Sequence, residues 1–166
     1  MAALLNRDPS RLVLHALALA GLLLTAASAL AETVGAITVE NAWSRTVPDG
    51  SAVASGYLTI RNDGDESDRL VSITTSFAGE TEIHQTTMVD GVMRMRPVPD
   101  GVPVPANSTV KLEPGSYHLM FLDLTGPLKQ GDAFPLKLTF ERAGSVETTI
   151  NVLGIGAQGS DAEHQH

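Results

Sequence analysis

The chain has 166 residues, with 11 lysines and arginines against 19 aspartates and glutamates, and a formal net charge of −8 at pH 7. This acidity disfavours binding to nucleic acid or anionic lipid, and the length suits one domain with its own core. The sequence contains no cysteine, which excludes disulfides, thiolate metal ligands and a C-x-x-C redox motif.

The first 31 residues have the three-part pattern of a secretory signal peptide. Arg7 and Arg11 give a positive start, residues 12–24 are almost wholly apolar, and Ala29-Leu-Ala31 is a small-x-small cleavage site. The apolar run is shorter than the roughly 20 residues of a membrane-spanning helix. We therefore expect cleavage before Glu32, export, and no stable membrane insertion of the mature chain.

Short β-rich runs separated by turn residues follow along the rest of the chain. Asp90-Gly91 is a tight hairpin signal, Ala143-Gly-Ser145 marks a closing turn, and four prolines from Pro97 to Pro105 indicate a loop. No stretch shows a convincing helical period. We predict strands over Ala36–Ser44, Ser51–Asn62, Leu70–Ser76, Glu80–Thr87, Val92–Val98, Thr109–Leu112, Tyr117–Leu124, Phe134–Arg142 and Val146–Leu153.

About eight or nine short strands with regularly spaced turn signals are typical of an all-β sandwich or Greek-key barrel. We expect this single domain to occupy residues 32–153. Residues 154–166 are small and polar, so we expect them to form a flexible tail.

Imidazole and thioether donors occur together in the predicted strands. In Tyr117–Leu124, large apolar residues alternate with His118 and Met120, which therefore share the face opposite the core. His84 also faces away from the core, because Ile83 faces inward. Soft sulfur donors combined with imidazole favour Cu(I). The alternative is that His118 and Met120 are merely a half-buried pair at a sheet edge.

The other methionines and the terminal histidines are each open to two interpretations. Met93 and Met95 share one strand face, where methionine commonly fills gaps in a core. Met88 stands at a strand end near the hairpin turn, where a loop residue is the simpler interpretation. His164 and His166 end the tail as His-x-His, a pattern able to capture a second, Cu(II) ion, and plain disorder is the alternative.

The spacing of these residues resembles that of the periplasmic copper chaperone family PCuAC. His84 is followed by ten residues and then Met95, and Met95 is followed by 22 residues and then His118-Leu-Met120. The second interval is one residue longer than is usual in the family, and the addition falls in the proline-rich loop, where insertions are tolerated. Gln85 stands where the family motif has a methionine. The resemblance extends over Ala36–Leu153.

This resemblance implies a cupredoxin-like Greek-key fold and a non-enzymatic carrier of copper. The Cu(I) ligands that it implies are His84, Met95, His118 and Met120. Met88 and Met93 lie close enough to these ligands in the sequence to serve as spare or handover ligands. The implied partner is a copper-accepting protein, either a cytochrome c oxidase subunit with the binuclear copper centre or another copper chaperone. Two alternatives stay open: a metal-free secreted β-sandwich that binds a protein or cell-surface ligand, and a protein of periplasmic copper storage or resistance.

Overall fold

The computed structural model describes residues 31–160. Within this range the chain is all-β, as predicted, and holds no helix that is long and apolar enough to cross a membrane. The strands are β1 (Glu32–Val34), β2 (Ile37–Arg45), β3 (Val53–Asn62), β4 (Asp68–Thr74), β5 (Ala78–Val89), β6 (Val92–Pro97), β7 (Val102–Val104), β8 (Ser108–Leu112), β9 (Tyr117–Leu124), β10 (Ala133–Phe140) and β11 (Gly144–Leu153).

Residues 31–160 form eleven strands instead of the expected eight or nine. The two that the sequence does not predict, β1 and β7, have three residues each. Strand β7 lies inside the proline-rich segment that was expected to be a loop. Its Val102 and Val104 are fully buried and pair with β4, whereas Pro103 between them is exposed. Proline is tolerated there because β7 is an edge strand, where a missing N–H breaks no internal ladder.

The strands follow the order β6-β5-β9-β3-β2-β11-β10-β4-β7, with β1 beside β2 and β8 beside β3. Strands β2 and β11 run parallel, and their other neighbours pair antiparallel. Strands β9 and β10 are not neighbours in this order, yet Phe121 of β9 meets Phe134 of β10 edge-to-face, with ring centroids 5.3 Å apart. The sheet therefore folds over a core that lies between its two halves.

Alternation along β9 decides which side chains face that core. Leu119 and Phe121 are fully buried in it. Because successive strand residues point to opposite sides, His118 and Met120 project from the other side of the sheet.

A β-bulge in β2 brings an aromatic pair onto the same outer side. Between the pairs Glu40–Thr59 and Trp43–Tyr57, two residues of β2 oppose one residue of β3. Asn41 in this bulge has φ 55°, a left-handed conformation that asparagine adopts more readily than most residues. Because the bulge reverses the alternation, Trp43 turns away from the core and packs on Tyr57, with ring centroids 4.5 Å apart.

The predictions for the two chain ends lie partly outside the described residues. Residues 1–30 of the predicted signal peptide lie outside them, and so do both tail histidines, His164 and His166. The first part of the predicted tail contacts the domain. Arg45, which lies over the Trp43 ring, donates a hydrogen bond from Nε to the carbonyl of Ala157 at 2.7 Å. The flexibility of the tail stays a prediction.

Candidate metal centre

The four candidate ligands, His84, Met95, His118 and Met120, lie on one face of strands β6, β5 and β9. Residues directly opposite each other in antiparallel strands point to the same side. His84 is opposite His118, and Met120 follows two residues further along β9. Met95 is opposite Thr86, which follows His84 by two residues on β5. The register therefore places four side chains that are distant in sequence on one face of the sheet.

Both histidines face away from the core, as expected, but they are not exposed. His118 is 3% exposed and the side chain of His84 is 14% exposed, whereas Met95 is 55% exposed. A cleft of about 240 Å³ leads to His118, and its lining includes Met95, Tyr57 and the turn at Pro114. The candidate centre thus has buried nitrogen donors beside an exposed sulfur donor.

Hydrogen bonding settles which nitrogen of His118 carries the proton. Nδ1 lies 3.1 Å from the carbonyl oxygen of Ser116, which also accepts the backbone N–H of Thr86. A carbonyl can only accept, so Nδ1 is the donor and Nε2 holds the lone pair of the neutral ring. Nε2 is buried and has no hydrogen-bond partner among residues 31–160.

The electrostatic setting of His118 favours the neutral form of its ring. Burial lowers its pKa from the usual value of 6.5, the hydrogen bond to Ser116 opposes this, and the nearby His84 lowers it further. The net pKa is lowered because desolvation penalises the charged imidazolium. A neutral ring is the form that binds a metal ion.

In His84 the roles of the two ring nitrogens are the reverse of those in His118. Its Nε2 lies 2.6 Å from a carboxylate oxygen of Glu82. An ionised carboxylate can only accept, so Nε2 carries the hydrogen and Nδ1 is left with the lone pair of the neutral ring. Nδ1 is also buried without a hydrogen-bond partner in the described part of the chain. A carboxylate that orients a histidine in this way is a common outer partner of a metal ligand.

The contacts of Glu82, Ser116 and Ser55 were not expected from the sequence. Ser55 of β3 donates a hydrogen bond to the sulfur of Met120 at 3.5 Å, which restrains the thioether and leaves a second lone pair. Glu82 stands two residues before His84, so strand alternation could have revealed it. The role of Ser55 depends on the β3–β9 pairing, for which the local sequence holds no signal.

These residues suit a soft metal ion. The two imidazole rings have centroids 5.8 Å apart at an interplanar angle of 60°. When a metal ion lies about 2 Å from one ligating nitrogen of each ring, the two ring centroids can be up to roughly 6 Å apart. No group of three His, Asp, Glu or Cys side chains in residues 31–160 could hold a metal ion. The thioethers of Met95 and Met120 are the further donors on the same face of the sheet, and sulfur donors favour a soft ion such as Cu(I).

The three methionines of the β5–β6 hairpin, Met88, Met93 and Met95, are neither in a core nor in a loop. Met93 is 66% exposed on β6, and Met95 on the same strand is also exposed, so the core interpretation of this pair is wrong. Met88 is 66% exposed and lies within β5, directly opposite Met93, so the loop interpretation is wrong as well. Met93 lines the cleft that leads to His118.

An all-β domain with free imidazole nitrogens beside thioethers defines a candidate soft-metal-binding domain. The model of the LpqE-like family, described as "Putative lipoprotein LpqE-like", matches residues 37–152, and the chain belongs to this family. "Putative lipoprotein Lxx21020" of Leifsonia xyli subsp. xyli is 28% identical over 116 residues, which are 70% of this chain and 69% of that protein. "Uncharacterized protein RP573" of Rickettsia prowazekii is 35% identical over 96 residues, which are 58% of this chain and 52% of that protein.

Solved structures of copper-binding domains have the same fold. The apo PCuAC domain of PmoF2 has a TM-score of 0.64 and 25% identity, and covers 78% of this chain and 99% of that domain. The copper-bound PCuAC domain from PmoF2 has a TM-score of 0.63, 26% identity and coverages of 75% and 98%. CuI-DR1885 from Deinococcus radiodurans has a TM-score of 0.57, 26% identity and coverages of 78% and 83%. These similarities confirm the expected cupredoxin-like fold.

Proposed function

We propose that this chain is a copper chaperone, a non-enzymatic carrier that binds Cu(I) and passes it to a copper-accepting protein. The observation that carries the proposal is the pair of buried imidazole nitrogens, Nδ1 of His84 and Nε2 of His118, which have no hydrogen-bond partner among the described residues. Leaving buried polar atoms unpaired costs free energy, so their persistence calls for a ligand. The proposed Cu(I) ligands are His84, Met95, His118 and Met120.

The chemistry of the donors suits a carrier more than a catalyst. Thioethers and neutral imidazoles hold Cu(I) without thiolates, which an oxidising compartment would convert to disulfides. Exposure of Met95 leaves one side of the ion accessible, so a partner's donor can replace that sulfur while the less exposed histidines still hold the metal. The similarity to the copper-bound PCuAC domain from PmoF2 supports this assignment.

A double variant that removes only the free nitrogens tests the proposal. The side-chain amide of Asn in His118→Asn keeps a donor near the position of Nδ1, and that of Gln in His84→Gln keeps one near Nε2. Titration with Cu(I) against a competing chelator should show loss of tight binding in the double variant. His164→Ala/His166→Ala removes the same number of histidines from the tail and should retain the Cu(I) site. Equal affinity of the double variant and the wild type would refute the imidazole ligands.

The proposed location is the periplasm, after removal of residues 1–31. The relative from Leifsonia xyli is described as a lipoprotein, which is in keeping with export. The present sequence contains no cysteine, the residue to which a lipoprotein lipid is attached.

The proposed acceptor is the binuclear copper centre of cytochrome c oxidase, as the resemblance to the PCuAC family implies. Deletion of the coding sequence separates delivery from storage. Delivery predicts loss of assembled oxidase with normal copper tolerance, because the acceptor is starved of copper while the cell's copper load is unchanged. Loss of tolerance with normal oxidase would instead assign the protein to storage or resistance.

A further inference from the structure

Three methionines form an exposed row on one face of the β5–β6 hairpin. Met88 and Met93 are directly opposite each other, and Met95 follows Met93 by two residues on the same face. Their exposures are 66%, 66% and 55%. The hairpin turn itself is tight, since Asp90 and Gly91 have φ values of 51° and 76°, which fit a type I′ turn. The row is therefore presented on a short, well-defined hairpin.

The spacing of this row allows its sulfur atoms to converge. Directly opposite residues in antiparallel strands have Cβ atoms about 4.5–5.5 Å apart, and diagonal neighbours about 7–8 Å apart. Methionine has a flexible, unbranched side chain, so Met88 and Met93 can turn their sulfur atoms toward one ion. Met95 is within diagonal reach of the same ion. Neutral thioethers select soft monovalent ions over hard divalent ones.

The row is continuous with the buried candidate centre. Met93 and Met95 line the same cleft of about 240 Å³ that leads to His118. Met88 stands outside this lining, at the end of the row nearest the turn. The exposed fraction of the donor side chains thus falls from Met88 and Met93 beside the turn, through Met95, to the imidazole rings of the candidate centre.

We propose that Met88 and Met93, with Met95 as a shared ligand, form a second and more exposed site for a soft monovalent metal ion at the mouth of the cleft. This inference rests on the proposed copper-carrier function and adds a site to it. Exchange between the two sites needs no redox step, because one metal–donor bond forms as another breaks and the ion stays monovalent.

Methyl-labelled methionine NMR during titration with Ag(I), a soft monovalent stand-in for Cu(I), tests the second site. In the wild type, the first equivalent should shift the methyl signals of Met95 and Met120, and the second should shift those of Met88 and Met93. Met88→Leu/Met93→Leu should bind one equivalent fewer. Val89→Leu/Val92→Leu changes the opposite face of the same hairpin and should bind as many equivalents as the wild type.

The variant without imidazole donors separates this inference from the proposed function. In His84→Gln/His118→Asn, the Met88 and Met93 signals should shift with the first equivalent, because the hairpin then holds the better site. The second site is refuted if both signals stay unmoved through two equivalents in that variant. If the hairpin signals shift in the wild type while Met120 never does, the proposed buried centre fails and the hairpin site stands.

Discussion

His84 and His118 each use one ring nitrogen in a hydrogen bond and leave the other without a partner in the described residues. Different nitrogens are free in the two rings, because Glu82 engages Nε2 of His84 whereas the carbonyl of Ser116 engages Nδ1 of His118. Each partner fixes a tautomer and a ring orientation. A metal ion bound by both rings, as proposed, would therefore meet nitrogens whose tautomers are already fixed.

Glu82→Gln removes the charge of the partner that orients His84. Loss of an outer partner typically lowers metal affinity about 10–100-fold, and since glutamine can still accept a hydrogen bond we expect roughly a tenfold loss for Cu(I). Chelator competition measures the affinity, and long-range ¹H–¹⁵N NMR of the metal-free protein reports the His84 tautomer. Glu80→Gln removes the same charge from an exposed position on the same strand and should change neither. An unaltered affinity in Glu82→Gln would show that the carboxylate does not act through His84 on the metal.

Met95→Leu and Met120→Leu delete a sulfur donor while keeping most of the volume. Such swaps usually cost less than about 1.5 kcal/mol of stability. We expect apo forms that melt close to the wild type and a loss of Cu(I) affinity larger than the roughly tenfold expected for an outer partner. Thermal melts and chelator competition measure the two effects, with Val92→Leu on the same hairpin as the control. Wild-type Cu(I) binding by either variant would remove that methionine from the ligand set.

At the scale of the strands, the centre depends on how closely β3 approaches β9. Gly56 of β3 is opposite Leu119, and a Cβ built on Gly56 would lie 2.6 Å from Cε2 of Phe121. Phe121 is fully buried, so its ring cannot give way by turning into solvent. The absence of a side chain at Gly56 allows the pairing that places Ser55 beside Met120.

Gly56→Ala should therefore destabilise the domain and disturb the centre together. Overpacking of a filled core typically costs about 1–3 kcal/mol. We expect a loss of this size in the free energy of unfolding, measured with urea, and weaker Cu(I) binding because β9 must shift. Gly126→Ala is the matched control, since its Cβ would lie 4.0 Å from the nearest atom, in Phe77. Equal stability of Gly56→Ala and Gly126→Ala would show that β9 can move freely.

At the scale of the whole molecule, Asp68 ties β4 to the β10–β11 turn. Its carboxylate accepts backbone N–H groups of Arg69, Arg142 and Ala143 at 2.7–2.9 Å. Burial alone would raise the pKa of Asp68, but these three hydrogen bonds and the charge of Arg142 lower it below the usual 3.8. A lowered pKa means that the ionised group stabilises the fold above pH about 4, and that this contribution disappears as pH falls through the lower folded-state value.

Asp68→Asn should show this linkage directly. We expect a loss of about 1 kcal/mol at pH 7, the usual net value of one hydrogen bond, and a smaller further loss than in the wild type between about pH 4 and pH 2. Urea unfolding at several pH values measures both. Asp49→Asn, at an exposed turn position, should behave like the wild type. Parallel pH profiles for Asp68→Asn and the wild type would contradict the assignment.

Export is the remaining prediction for the whole chain. The positive start, the apolar run and Ala29-Leu-Ala31 predict cleavage after Ala31. Mass spectrometry of the protein from periplasmic extracts should give a chain that begins at Glu32. Recovery from the membrane fraction with residues 12–24 still attached would contradict it.

The strands were largely predictable because their pattern is local. Alternation and turn residues indicated nine of them, and the bounds of β9 agree fully with the prediction. Strands β1 and β7 were missed because three residues are too few to show alternation, and the prolines around β7 indicate a loop. The bulge at Asn41 was missed for a related reason, since its effect is visible only in the pairing of β2 with β3.

The sequence by itself determined the all-β class, the spacing of His84, Met95, His118 and Met120, and the side of the strand on which the two histidines and Met120 lie. Only the tertiary structure decided that His84 is opposite His118, and that His118 is buried while His84 is half-buried. It also decided that Met95 faces solvent and that Met88 and Met93 form an exposed pair. The physical reason is the distance along the chain over which the deciding interactions act. Alternation is a property of neighbouring residues, whereas strand order and the β3–β9 contact at Gly56 depend on packing between residues far apart in the chain.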